Sequence, residues 1–240
     1  MSGEEPEVLI CGFGDLGSGL GGLAWDLADG GAILLSDGKA RPGSFALEEG
    51  GDAATLEISA GDANLEVVLV PEADAVALPA REGAAAAPIF TALRAEVRSS
   101  GLGRTLPCPG HLTRWTSDPI EGAGTFRHLA IELDLGARLI ATAWGEPGLE
   151  GHGDERTSAW RIDADGSASG FEEALLSTQY DGDGHPTRAG LELWPGDDAP
   201  PMRTAASLIG GAEAGGAWAG LFRCHTDGTE GLGSYLLWRG

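Results

Sequence analysis

Glycine limits the fold of this chain more than any other residue. Forty glycines occur in 240 positions, most of them ending a short apolar run. Turn signals therefore recur about every ten residues, the spacing of antiparallel β structure. Asp29-Gly30 separates the apolar runs 23–27 and 32–36, Gly61-Asp62 separates 54–59 from 64–69, and Gly136 separates 126–135 from 138–144. Asp165-Gly166 follows 158–162, the run DGDGHP joins 175–180 to 187–194, and Asp227-Gly228 joins 217–223 to 233–238. Each is a hairpin signal, and together they predict about fourteen strands. Leu93, Ala95 and Val97 alternate with Arg94, Glu96 and Arg98, the pattern of a half-solvated strand, although Pro88 could open a helix there. Ser169-x-x-Glu172 has capping-box spacing, yet a strand is the preferred reading. The Gly/Ala/Pro-rich stretch 79–88 marks the expected boundary between a first β unit, 1–85, and a second, 86–240.

A chain of this length can bury about 70% of its surface and needs no disulfide or metal to hold a core. Its 42% hydrophobic and 22% charged residues are a globular composition. With 15 Lys+Arg against 37 Asp+Glu the net charge is −22. Such a surface repels phosphate backbones and anionic headgroups, which excludes nucleic acid and membrane surfaces as expected partners. No apolar run is long enough to span a bilayer, and MSGEEPE has no basic n-region followed by an apolar stretch, so a cytoplasmic location is expected. Cys11, Cys108 and Cys224 are scattered, odd in number and form no Cys-x-x-Cys pair, so reduced, buried thiols are expected and no metal or cofactor is implied. A single lysine beside many arginines, glycines and alanines suggests a bacterial, GC-rich origin.

Several motifs invite function. Gly12, Gly14 and Gly17 form G-x-G-x-x-G after an apolar strand, as in dinucleotide-binding units. The helix this requires would contain Gly17, Gly19, Gly21 and Gly22, each costing about 0.8–1 kcal/mol against alanine, so a glycine-rich β turn is expected instead. Asp181-x-Asp183 opens like a calcium loop, but His185 follows and no bidentate Glu occurs at the twelfth position, so a hairpin turn is expected. Gly151-His152-Gly153-Asp154-Glu155-Arg156 is more informative. It gathers an imidazole, two carboxylates and a guanidinium just before an apolar strand, which is acid–base equipment near neutral pH. His111 and Arg114 precede Trp115 in the run 109–115, and Arg127 adjoins His128; on a strand the last two must face opposite sides.

The runs GHGDERTSAW, FEEALLSTQYDGDG and RAGLELW between Gly151 and Trp194, with CPGHLTRW upstream, resemble the lipocalin-like double-barrel family of carotenoid 1,2-hydratase and related bacterial proteins. The resemblance implies an all-β fold of antiparallel, lipocalin-like barrels (or a sandwich) in two packed β units with little helix, and an apolar polyene or terpenoid-like ligand seated in an interior cavity. It places the catalytic region on His152, Asp154 and Glu155. The sequence departs from the hydratases in lacking a second His and a Trp-Gly dipeptide after the acids, and in being shorter. The residues themselves agree with a cavity: strand-associated aromatic side chains offer apolar area with an orienting N–H or O–H. The expectation is thus a small lipophilic molecule bound among Arg156, Trp160, Tyr180, Arg188 and Trp194, with metal-free hydration, a lyase reaction or cyclisation by His152, Asp154 and Glu155. A non-catalytic carrier, or a β protein acting through homo-oligomeric surfaces, is the alternative.

Overall fold

The computed structural model describes residues 8–79, 88–99, 105–134, 136–149, 151–196 and 200–240. These residues form strands and turns with no α-helix. The first sheet holds β1 (Val8–Asp15), β2 (Leu20–Trp25), β3 (Gly31–Ser36), β4 (Lys39–Gly50), β5 (Ala53–Ala60), β6 (Ala63–Pro71), β7 (Val76–Ala77), β8 (Ile89–Ser99) and β9 (Leu106–Trp115). The second holds β10 (Thr125–Leu133), β11 (Arg138–Gly145), β12 (Arg156–Ile162), β13 (Ala168–Gly170), β14 (Glu173–Tyr180), β15 (Pro186–Trp194), β16 (Met202–Ala214), β17 (Ala217–Thr226) and β18 (Thr229–Arg239).

All pairings are antiparallel, and the connections are the tight turns that the glycines signal. Asp37 and Gly38, and likewise Asp227 and Gly228, both take positive φ between paired strands, as two-residue hairpins with the right twist require. In the first sheet β6 pairs with β8 while β9 returns to β1, so the sheet closes into a barrel. The second curls in the order β13-β12-β11-β10-β18-β17-β16-β15-β14. Here β12 and β14 lie side by side without a ladder between them, and the barrel keeps a seam.

Inward residues alternate with outward ones on every long strand. Cys11, Phe13, Leu34, Ile58, Val67 and Val97 fill the closed part of the first barrel. Leu129, Leu139, Leu176, Leu191, Phe222 and Tyr235 fill the second. The opposite faces meet in a third apolar layer between the barrels, where Trp25 and Trp115 pack with Ile10, Phe126 and Leu236, and Trp160 packs with Leu78, Phe90 and Ile140. Arg138, 8% exposed, ties this layer together by bonding Glu132 of β10 at 2.7 Å and Glu72 of the first unit at 2.9 Å.

The strand after Asp15 is β2, and no helix follows Gly17, as the glycines of that segment predict. Gly12 is required because the His111 ring lies across it: a Cβ there would stand 2.5 Å from the imidazole Cε1. The division expected at 85/86 lies among residues 80–87, outside the described residues. However, β8 and β9 still belong to the first sheet, and the change of sheet falls between Trp115 and Thr125. The physical reason is closure, since β8 and β9 must return to β6 and β1 before the first barrel has no free edge.

Candidate active site

Strand β10 points Arg127 into the second barrel and His128 into the layer between barrels, the opposite-face arrangement that alternation demands. Arg127 is fully buried. Its Nη1 donates to Thr178 Oγ1 at 2.9 Å, and its Nη2 donates to the Leu176 carbonyl at 2.7 Å and to Glu155 Oε2. Leu176 and Thr178 sit on β14, the edge strand at the seam, where a backbone carbonyl without a ladder partner needs another donor. The guanidinium supplies it, and the charge it brings inside is matched by Glu155.

Glu155 stands immediately before β12. Its carboxylate is 1% exposed and accepts from Thr125 Oγ1 at 2.9 Å. Gly145 makes room for this contact, because a Cβ there would lie 2.5 Å from Thr125 Oγ1 and 3.2 Å from Glu155 Cγ. The same carboxylate meets His152 Nδ1 at 2.8 Å, and His152 Nε2 bonds the Tyr180 hydroxyl. Burial alone would raise the Glu155 carboxyl, but the hydrogen bond from His152 and the Arg127 guanidinium together hold it below the usual carboxylate range. An ionised Glu155 fixes the proton of His152 on Nδ1, which leaves Nε2 to accept from Tyr180 or, when the ring is doubly protonated, to donate towards it. The His152 side chain is 23% exposed, so the imidazole is reachable from the barrel mouth while its carboxylate partner is sealed. Behind the cluster Thr178 bonds Tyr235 at 2.9 Å, and burial pushes the Tyr235 phenol up to about 12. Tyr235 therefore serves as a neutral hydrogen-bonding wall. Its ring packs against Trp218 and Phe222 at 6.1 and 5.6 Å. At the same mouth a hollow of about 390 Å³ is lined by Trp218, Leu237, Arg239 and Glu213. The Arg239 guanidinium lies 5.5 Å from the Tyr180 ring centroid.

Of the residues singled out from sequence, His152, Glu155 and Tyr180 come together. Asp154 is exposed on the loop and takes no part in the network. Arg156 is exposed, bonds Glu146 at 2.9 Å and lies over the Trp144 ring. Arg188 is exposed next to inward Ala189, and half-buried Trp194 lies next to inward Leu193, so both occupy the outer face of β15. Trp160 is fully buried but on the wrong side of β12 for a ligand: small Ala159 faces the barrel interior, while Trp160 fills the inter-barrel layer and donates to the Pro79 carbonyl at 3.2 Å. The sequence reading missed Arg127 as a site residue, together with Thr178 and Tyr235. The available signal was an arginine inside the apolar run Phe126–Ile131, where a charge must be buried and paired. Asp181, Asp183 and His185 bring three potential metal-ligating atoms within 4.8 Å of one another on the surface. Asp181 Oδ1 already accepts from the backbone of Asp183 at 3.0 Å and of His185 at 2.9 Å, so the turn closes on itself as the sequence suggests.

No family model and no curated protein matches the sequence. Solved structures do match the fold. A provisionally named AttH from Nitrosomonas europaea superposes with a TM-score of 0.67 at 14% identity, covering 96% of this chain and 91% of that one. Kievitone hydratase from Nectria haematococca gives 0.66 at 10% identity over 98% of this chain and 89% of its own. CghA with Sch210972 gives 0.58 at 9% identity over 97% and 88%. The fold is a lipocalin-like double barrel. At such identities the likeness extends to architecture alone.

Proposed function

We propose that the protein is an acid–base catalyst that adds water to, or cyclises, a small lipophilic molecule at the mouth of the second barrel. The observation that carries this reading is the bonded series Tyr180–His152–Glu155–Arg127, exposed at the imidazole and sealed at the ion pair. In the proposed reaction His152, doubly protonated and held by Glu155, passes a proton through Tyr180 to an electron-rich carbon of the substrate. Water captures the resulting cation and the oxonium returns a proton to His152; where a second double bond captures it instead, the new ring cation loses a proton from its adjacent carbon to His152. The sum is addition of one water, or ring closure with no net change. Arg127 keeps Glu155 ionised throughout, and the apolar Trp218–Leu237 wall takes the substrate's greasy part. The likeness in fold to kievitone hydratase supports the hydration form.

The test is incubation with a panel of terpenoid, polyene and prenylated phenolic compounds, read by mass spectrometry for gain of one water or for an isomer. Removing a positioned acid or base costs about 10²–10⁴-fold in rate, so His152→Ala, Tyr180→Phe and Glu155→Gln should each lose turnover on that scale. Asp154→Asn should leave it within about twofold, as expected of an exposed side chain outside the network. Equal losses for Asp154→Asn and Glu155→Gln would overturn the assignment.

A further inference from the structure

Another hollow opens in the other barrel. At the end of the first barrel where β4 meets β5 and β9 ends, a chamber of about 930 Å³ opens among Ala54, Leu69, Ile89, Thr91, Leu93 and Leu112. These residues come from β5, β6, β8 and β9 and are the inward set of their strands. Deeper in, Leu56, Val67, Ala95 and Cys108 close the barrel, so the chamber is dead-ended. Its size falls within the range of sites that enclose a small organic molecule, about 300–1,000 Å³.

We propose that this chamber is a second binding site, chemically separate from the acid–base cluster, which holds a neutral lipophilic alcohol without converting it. Three observations select the ligand. The inner wall is aliphatic and would bury a chain or fused ring system. The opening carries an ion pair between Arg114 of β9 and Glu49 of β4. The Glu49 side chain is 56% exposed, so its carboxylate can accept a hydrogen bond from an arriving hydroxyl. Asp52 and Asp74 line the same opening. With the chain at −22, the three carboxylates outweigh Arg114 and make the opening unfavourable for a fatty or terpenoid carboxylate. Among the described residues no histidine, cysteine or tyrosine lines the chamber, which leaves it without the proton-transfer groups that the second barrel concentrates.

The experiment is fluorescence titration with the neutral probe N-phenyl-1-naphthylamine, followed by displacement with farnesol and, in parallel, with farnesoate. One saturable site is expected, with farnesol displacing the probe at least tenfold more effectively than farnesoate. Glu49→Gln, a change on a solvated rim where the fold is not at stake, should shrink that preference several-fold. The pair Thr91→Trp with Leu112→Trp fills the chamber and should abolish probe binding. The single Thr91→Trp places a donor in the wall, whose emission should be quenched by energy transfer to bound probe. His152→Ala should leave probe affinity unchanged, so loss of turnover and loss of binding report on different barrels. Probe binding that survives the filling pair, absence of energy transfer from Thr91→Trp, or displacement by farnesoate as effective as by farnesol would each overturn the proposal.

Discussion

Each sheet contributes nine strands, yet the two barrels solve the problem of the strand edge differently. The first closes through the β6–β8 ladder. With its backbone satisfied by its own strands, its interior can be wholly apolar and can stay hollow at one end. The second leaves β12 and β14 unpaired along a seam, and the edge carbonyl of Leu176 is met by the Arg127 guanidinium. A buried cation then requires a buried anion, Glu155, and that anion orients His152. In this molecule acid–base equipment accompanies the interrupted ladder, and empty volume accompanies the closed one.

The strongest challenge to that contrast is to remove the guanidinium. Arg127→Met leaves Glu155 without its cation and Leu176 without its donor. Breaking one partner out of a buried pair costs about 3–5 kcal/mol, and urea unfolding should show a loss of that size. The matching change in the first barrel is Arg114→Met. There Glu49 is 56% exposed and Arg114 20% exposed, so solvent screens the pair and the loss should stay below about 1 kcal/mol. Comparable losses from the two substitutions would mean that the seam does not set the energetics of the site.

Filling the barrels sharpens the comparison at smaller scale. Leu191 is packed on all sides in the second barrel, and Leu191→Phe should cost about 1–3 kcal/mol through overpacking. Leu69 borders the chamber of the first, so Leu69→Phe can grow into space and should cost less than about 1 kcal/mol. Paired urea melts decide it, and an equal penalty would show that the first barrel is as full as the second.

Much of the architecture was legible because turn chemistry is local. The Asp-Gly and Gly-Asp pairs closed hairpins, and the alternation through Leu93–Arg98 became β8. The long strands that escaped notice, β4, β9 and β16, are interrupted by proline or by paired glycines. Pro107 and Pro109 lie where β9 pairs with β8 but extends beyond β1. Pro42 lies where β4 pairs with β3 before β5 begins. In both places a missing N–H faces no ladder, so proline does not prevent a strand. The site was half legible for a related reason. The Gly151–Arg156 motif supplied His152 and Glu155, but which carboxylate turns inward depends on a loop conformation that spacing does not encode, and Asp154 turned out. Trp160 misled because large residues were assigned to a barrel interior, whereas this barrel offers its outer face to another barrel. Arg127 was hidden in plain alternation, since its partners on β14 are about fifty residues away and only the seam brings them together.

The layer between the barrels provides the mildest test. Among the described residues His128 has both ring nitrogens buried without a partner, and His111, whose ring centroid is 6.3 Å away, bonds Ser234 at 3.2 Å. Burial pushes both imidazoles down to about 3, with Arg138 adding to the effect on His111 and His111 to that on His128. The sign follows from where the protons bind. Unfolded histidine takes up its proton near pH 6.5, whereas the folded rings stay neutral. Stability from neutral burial is thus complete above about pH 6.5 and is lost as pH falls towards 3, by up to about 1.4 kcal/mol per pH unit for each ring. The depressed Glu155 carboxyl adds its own loss only below the ordinary carboxylate range, whereas burial pushes the Glu132 carboxyl up to about 7, so Glu132 offsets part of the histidine loss between about pH 6.5 and pH 5 and the histidine contribution is read as a difference between two chains that share Glu132. His128→Phe keeps an aromatic ring against the edge of Trp115, 5.6 Å away, and removes one proton acceptor. Stability at neutral pH should change by less than about 1 kcal/mol, since two unsatisfied polar atoms are exchanged for an apolar ring of similar shape. Between pH 6.5 and pH 5 the variant should lose less stability than the parent chain, by up to about 1.4 kcal/mol per pH unit. Urea unfolding across that interval checks it, and an unchanged slope would locate the acid sensitivity inside one of the barrels instead of between them.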